Sequence, residues 1–499
     1  MDFASNFYLA FRVALEPMNL VLCFVGCLLG TFVGVLPGLG PAATLSLLLP
    51  ITLKFPPESA IIMLAGIYYG TMYGGSTTSI LINVPGEAAS VVTCLDGYQM
   101  ARKGRGGPAL GIAAFGSFIA GTFGTIMIML MAPPLAGIAL KFGPPEFVGL
   151  IFMGLTMVTY LSGGSMAKAL IMAIVGLLIG YIGTDVVYGQ ERFTLGIATI
   201  GGGFDIVPIA MGLFGISEVL LNLEHSQPAR EVLQDKLRNL LPTKQDWKDS
   251  SGPIARGSAL GFFLGLIPGG GGLIASFVSY AVEKKIAKHP ETFGTGDIRG
   301  VAGPESANNA GVQGAFVPML TMGIPCNVVM AILMGALMIH GVAPGPRLLE
   351  DHPRIFWGTV GSMYIGNVML LILNLPLIGM WVRLLKVPYS ILFPFIFLFC
   401  LIGAYTVGNN VQDLYIMILF GILGYLMKKF DYEPAPLVLA FILGPMFETA
   451  FCQSLMISNN GYLIFVTRPI AFALLLISFV VLVFPLASMV LRRQRPGGY

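Results

Sequence analysis

An apolar segment broken by proline and glycine occurs twice in this chain. Gly30-Thr-Phe-Val-Gly34-Val-Leu-Pro37-Gly38-Leu-Gly40 in the first half is answered, 231 residues later, by Gly261-Phe-Phe-Leu-Gly265-Leu-Ile-Pro268-Gly269-Gly270-Gly271. A backbone group freed at a break inside lipid finds no water to replace its lost partner, at several kcal/mol per group. Such breaks persist where they line a cavity inside protein, and a matched pair in the two halves of a chain points to a transport site.

Lipid is the right solvent to assume. Of 499 residues, 56% are hydrophobic and 11% charged, with a mean hydropathy of +0.82; an average soluble domain has about 25% charged residues. The apolar stretches 109–140, 355–385 and 464–491 each exceed the roughly 20 residues that cross a bilayer as a helix. Hydropathy predicts an all-α polytopic membrane protein with about ten to twelve transmembrane segments, some broken or re-entrant. The net charge of +3 is spread over short loops, which gives no support to nucleic-acid binding. Six cysteines in or beside apolar segments, without Cys-x-x-Cys, suggest neither a disulfide framework nor a zinc site. The first residues carry Asp2, Arg12 and Glu16 and no small-residue cleavage site, so no cleaved signal peptide is expected.

The duplication extends past the breaks. Tyr69-Gly-Thr-Met-Tyr-Gly-Gly-Ser76-Thr77-Thr78-Ser79 and then Asn83-Val-Pro85-Gly86 follow the first; Pro304-Glu305-Ser306-Ala-Asn308-Asn309 and then Thr321-Met-Gly323-Ile-Pro325 follow the second. Pro37 and Pro85 are 48 residues apart and Pro268 and Pro325 are 57 apart, the nine extra residues fitting the charged loop 283–299. Each copy closes on a basic turn, 102–108 or 342–347. The chain thus divides into a first transmembrane repeat (1–222), a polar linker (223–252) and a second repeat (253–499). Lysines and arginines place the linker in the cytoplasm, and loop 283–299 beside it. Only about 30 residues separate these two basic segments, with the glycine run in the middle, so a hairpin of half-helices entering and leaving on one side is expected. Segment 21–54 has sparse flanking charge, as for a hairpin opening outward. Two inverted structural repeats follow as the expected topology.

At a helix break, unpaired N–H groups and the helix dipole favour an anion, and freed carbonyls suit a small cation. Gly38, Gly40, Gly269 and Gly270 would let backbone approach such a ligand, although small residues also serve close helix packing. Ser76, Thr77 and Asn83 from the first copy, with Asn308, Asn309 and Thr321 from the second, can donate to carboxylates without burying a charge. Serine and threonine equally bond back to their own helix, and asparagine glues helices together. Thr78, Ser306 and Glu305 are candidates for coupling an ion. Other acids, Glu87, Asp96, Asp185, Asp205, Glu218, Asp413 and Glu448, could do the same or sit at the interface.

Catalytic motifs are weak. Gly294-Thr-Gly296-Asp297 matches the pattern of intramembrane aspartyl proteases, but it lies in the charged loop without a Tyr-Asp partner and reads as a turn. No Gly-Lys-Ser or Gly-Lys-Thr P-loop occurs, and Gly201-Gly202-Gly203 lacks the setting of a dinucleotide fingerprint. His225, His289, His340 and His352 fall in or near loops, which leaves an intramembrane hydrolase a weak alternative. No enzymatic activity is expected, and no cofactor.

The blocks Leu36-Pro-Gly-Leu-Gly40, Tyr68-Tyr-Gly-Thr-Met-Tyr-Gly-Gly-Ser76, Asn83-Val-Pro-Gly-Glu87, Leu95-Asp-Gly-Tyr-Gln-Met-Ala-Arg-Lys-Gly104, Gly303-Pro-Glu-Ser-Ala-Asn-Asn-Ala310 and Gly323-Ile-Pro325 resemble those of the large membrane subunit, the TctA family, of bacterial tripartite tricarboxylate transporters. The similarity spans about residues 15–480. Cys326-Asn327 departs from the glycine and small hydroxyl residue expected after Gly323-Ile-Pro325. The resemblance implies an inner-membrane protein working with a small membrane subunit of about four spans and a periplasmic solute-binding protein. It implies uptake of citrate or a related carboxylate, driven by Na⁺ or H⁺ rather than ATP. A stand-alone ion-coupled carrier or channel is the alternative, and a homodimer is compatible with the sequence without being read from it.

Overall fold

A computed structural model describes residues 3–36, 40–161, 165–185, 187–196, 200–224, 240–384, 389–458 and 461–493. Pro37 and Gly38 of the first break, and 225–239 of the polar segment with His225, lie outside the described residues. The described residues are 81% helical. A first series comprises α1 (Phe3–Ala14), α2 (Pro17–Val35), α3 (Pro41–Thr52), α4 (Pro57–Ile82), a 3₁₀ turn (Ala88–Ser90), α5 (Val91–Arg102) and α6 (Gly106–Ala139). Helices α2, α3 and α4 each start on a proline, which loses no hydrogen bond at that position. Next come α7 (Pro144–Leu161), α8 (Met166–Gly180), a two-stranded ribbon (Gly183–Thr184 with Glu191–Arg192), α9 (Ile206–Ala210) and, through a π turn, α10 (Ser217–Glu224).

A second series comprises α11 (Lys244–Gly265), α12 (Gly271–Ile286), α13 (Arg299–Met322), α14 (Val328–Ile339), the short α15 (Leu348–Asp351) and α16 (Pro353–Asn374). It is followed by α17 (Ile378–Leu384), α18 (Tyr389–Gly408), α19 (Val411–Lys429), α20 (Pro434–Met456), α21 (Ile464–Thr467) and α22 (Pro469–Arg493). Residues 244–252, assigned to the linker by composition, form the first turns of α11. Thr243 and Asp246 cap that helix reciprocally.

Among the described residues, six helices are long and apolar enough to cross a membrane, and α21–α22 add a pair bent by 88°. The difference from the ten to twelve segments expected has a physical source. Several apolar helices, α3, α7, α8 and α14 among them, are shorter than a span. The 26-residue α4 and 24-residue α13 are long but too rich in glycine and polar side chains to join the apolar set, although nearly all their residues are buried. They are the centre of the molecule, not its lipid-facing wall.

Glycines set the packing. A Cβ on Gly26, Gly30 or Gly34 of α2 would overlap the carbonyl oxygens of Met63, Ile67 and Thr71 on α4. On α11, Gly257, Gly261 and Gly265 meet Gly303, Ala307 and Gly311 of α13 in the same way. Both series rise together, so α2 is parallel to α4, and α11 to α13. A parallel return requires the intervening helix, α3 or α12, to run backwards, which makes the second break, at Pro268–Gly270, the tip of a hairpin. A shift of 231 residues carries Gly26 onto Gly257, and one of 240 carries Met63 onto Gly303.

Across the middle the direction reverses. Tyr68 lies against Phe316 while Ser76 reaches Glu305, so α4 and α13 are antiparallel. The last long helices change sides: α6 packs along α13, with Gly116 facing Ser306 and Gly124 facing Gln313, and α16 packs along α4, with Gly358 near Ile62 and Gly366 near Tyr69. In each group one arginine ties helix starts together, two in one group and three in the other. Arg105 pairs with Asp246 at α6 and α11, and Arg354 with Glu16 and Glu58 at α16, α2 and α4.

Candidate functional site

A buried polar seam runs between α4 and α13. The Glu305 carboxylate accepts the Ser76 hydroxyl at 2.6 Å on one oxygen and the Thr93 hydroxyl of α5 on the other. One turn further along α13, Asn308 donates to Glu87 at 3.1 Å, and Asn309 donates to Ser117 of α6 at 2.7 Å and to the Glu305 carbonyl. Glu87 caps the 3₁₀ turn after Pro85, accepting from the Ala89 N–H at 2.6 Å. Among the described residues, neither Glu87 nor Glu305 forms a salt bridge. Two carboxylates are buried here with hydroxyl, amide and N–H partners alone.

The second hairpin tip closes on this seam. The Gly269 N–H donates to the Cys326 carbonyl at 2.7 Å, Gly271 lies beside the Asn327 amide, and Gly272 packs on Asn308 Oδ1. Gly269 and Gly271 have φ of +79° and +46°, a backbone region that glycine enters without a Cβ penalty. Asn327 caps α14 by accepting from the Met330 N–H and donates to the Tyr68 hydroxyl at 3.2 Å. Asn308 Oδ1 has no hydrogen-bond partner although the residue is 1% exposed. It sits at the N-terminus of the 16-residue α12, whose first-turn N–H groups lack partners within the helix.

The sequence candidates separate into those that meet at this seam and those that do not. Ser76, Glu305, Asn308, Asn309, Gly269 and Gly270 come together, and the Ser306 hydroxyl, buried against Gly116, has no partner. Thr77 is buried in α4, while Thr78 returns its hydroxyl to the Gly75 carbonyl and Thr321 to that of Val317. Asn83 is exposed, in left-handed conformation, as the C-cap of α4. The 240-residue shift places it on Gly323, the left-handed C-cap of α13, so a backbone requirement accounts for Asn83. Gly40 caps α3 beside open space, and Gly38 lies outside the described residues.

Residue type and spacing leave Glu87 among general acidic candidates and give no reason to select Thr93, Ser117, Tyr68 or Asn327 as seam residues. Aligning Pro85 with Pro325 pairs Glu87 with Asn327, and the same shift pairs Tyr68 with Asn308. The two bridges across the molecule, Asn308 to Glu87 and Asn327 to Tyr68, therefore join corresponding positions in exchanged roles.

Asp96 has a structural part that its place in the sequence does not reveal. This fully buried carboxylate accepts the N–H groups of Gly294, Gly296 and Asp297, at 2.7 to 3.0 Å, and the Tyr280 hydroxyl at 2.9 Å. The Gly294–Asp297 turn is thus a backbone nest that fastens α5 of the first series to the loop before α13. Burial would raise the neighbouring Asp297 carboxyl, but Arg299 and the Thr292 hydroxyl outweigh it and hold it below its ordinary value.

Glycine-packed apolar helices around a buried polar interior define a multi-pass membrane protein. A family model described as tripartite tricarboxylate transporter TctA family matches residues 20–439, and the chain belongs to that family. Over 475 residues, 95% of this chain and 94% of the relative, it is 53% identical to an uncharacterised 52.8 kDa protein encoded 3′ of ttuC′ in the TAR-I region of Agrobacterium vitis. A second protein of that organism, from the TAR-II ttuC′ 3′ region, is 52% identical over 43% of this chain and 89% of its own length. An uncharacterised protein of Methanocaldococcus jannaschii is 24% identical over 42% of this chain and 49% of its own. No solved structure matches the chain.

Proposed function

We propose that this chain is the large membrane subunit of an inner-membrane uptake system for citrate or a related carboxylate, working by alternating access between two inverted repeats. A small membrane subunit of about four spans and a periplasmic solute-binding protein complete the system in this reading. The partner-free acceptor Asn308 Oδ1, which suits a coupling cation, set at the N-terminus of α12, whose N–H groups suit a carboxylate, carries the proposal. Inversion is supported by the two parallel helix pairs, related by shifts of 231 and 240 residues, that run antiparallel to each other.

The first-turn N–H groups of α12 supply donors for a carboxylate, and Gly271 leaves them room. A substrate anion beside Glu87 and Glu305 would be repelled unless positive charge entered with it. Na⁺ among the seam oxygens, or protons on the two acids, would remove that repulsion and tie uptake to an ion gradient. Uptake of radiolabelled citrate into proteoliposomes, with both partner proteins and separately imposed sodium and pH gradients, tests this. Gly270→Leu places a side chain against the Leu264 carbonyl and should abolish uptake while the protein still inserts. Full uptake by this variant refutes the site, and uptake without either gradient refutes coupling.

A further inference from the structure

A second polar site lies away from the seam, at the open end of the α11–α12 hairpin. A cavity of about 370 Å³ is lined there by Lys248 and Arg256 of α11, Glu283 and Ile286 of α12, and Lys288 and Arg299. Arg256 forks onto Glu283 through Nε and Nη2 at 2.8 and 2.7 Å, which leaves its Nη1 edge unused. Arg299 is held the same way by Asp297. Acid partners thus fix both guanidinium planes. Asp249, also in the lining, accepts the Gln245 amide at 2.9 Å. The ammonium groups of Lys248 and Lys288 have no hydrogen-bond or ion-pair partner among the described residues. Two oriented arginines and two unpaired lysines make a receptor for a phosphate, which arginine binds with a planar fork and lysine as a point charge.

The surroundings say what the phosphate is attached to. Leu273, Phe277 and Ile286 on α12 are 40%, 48% and 54% exposed, and Phe263 on α11 is 50% exposed. Leu273, Phe277 and the exposed Ala281 follow one another at four-residue spacing, so a single stripe of α12 leads to Lys284, Lys285 and Lys288. Ile286 lies on the opposite side of α12 from that stripe, but exposed Phe263 stands two turns beyond the cavity-lining Arg256 on one face of α11. The cavity is therefore continuous with a surface suited to acyl chains. It also lies on the face that gathers Lys103, Arg105, Lys244 and Lys284, the charge bias of a cytoplasmic leaflet, where anionic lipids collect between basic helix ends.

We propose that this cavity binds the headgroup of an anionic phospholipid, whose chains lie along α12 and hold the hairpin at the membrane surface. The test titrates the purified chain in detergent with phosphatidylglycerol, phosphatidylcholine or inorganic phosphate, reading melting temperature and, by native mass spectrometry, retained lipid. Phosphatidylglycerol should raise the melting temperature by several degrees and be retained, while phosphatidylcholine should do neither. The double variant Lys248→Gln, Lys288→Gln keeps both arginine–acid pairs intact and should bind phosphatidylglycerol roughly thirtyfold more weakly. The double variant Lys244→Gln, Lys285→Gln, with the same charge loss outside the cavity lining, should bind it nearly as well as the parent. Equal retention of the two lipids, or equal weakening by both double variants, overturns the site. An equal shift by inorganic phosphate alone overturns the lipid and leaves a free anion as the ligand.

Discussion

Helices α4 and α13 hold corresponding places and offer the seam different chemistry. On their outer faces they are alike: both meet a glycine-bearing partner, α2 or α11, at backbone contact along three successive turns. Facing the seam they diverge, because the 240-residue shift carries Ala65 onto Glu305, Tyr68 onto Asn308 and Ser76 onto Phe316. The difference teaches that frame and chemistry are separable. Backbone approach demands small residues on one helix face, whereas the opposite face is free to become unequal, as recognition of an unsymmetrical ligand requires.

The largest effect should come from breaking the shared frame. Gly261→Val and Gly30→Val each push a side chain into the backbone of the partner helix and should cost about 3 kcal/mol, read as a lower melting temperature in detergent. Tolerance of one but not the other would show that the two frames do not carry equal weight. Next is the chemistry that α4 lacks. Glu305→Gln keeps one acceptor oxygen, for Ser76 or Thr93, turns the other into an amide donor and removes the charge, so gradient-driven uptake should be lost while substrate exchange across the membrane persists. Loss of exchange as well would assign Glu305 to substrate binding.

The bridging pair gives a finer comparison. Asn308→Ala strands Glu87 and should lower uptake by about tenfold or more, because bonds to charged groups are worth roughly 1.5–3 kcal/mol; Tyr68→Phe removes one neutral bond and should lower it roughly fivefold. Equal losses would mean that the two bridges are equivalent after all. Asp96→Asn weakens the nest that binds the halves on one side only and should destabilise the protein by about 2 kcal/mol, seen in thermal unfolding. The smallest effect belongs to the exposed tie: Arg354→Ala should change stability by less than about 1 kcal/mol.

Much of this architecture is legible in residue type and spacing. The matched breaks, the small residues before them and the polar blocks after them locate both hairpins and most of the seam. Ser76, Glu305, Asn308 and Asn309 are rare polar groups in apolar surroundings, and their cost in lipid makes them conspicuous. Asn83 and Thr321 are equally conspicuous and meet elsewhere. One satisfies a left-handed C-cap and the other bonds to its own helix, uses that composition does not distinguish from ligand contact. Glu87, Thr93 and Tyr68 are hard to find for the opposite reason. Their partners lie 221, 212 and 259 residues away, beyond any local pattern.

Residue type and spacing suffice to place the chain in lipid and to show that an apolar block broken by proline and glycine recurs after 231 residues. Tertiary structure alone decided which polar groups share a site. Parallel glycine contacts within each half, the antiparallel meeting of α4 and α13, and the exchange of α6 and α16 bring together side chains that no periodicity connects. A buried carboxylate must find donors wherever packing puts them, so the partners of Glu87, Asp96 and Glu305 follow from how whole helices are placed.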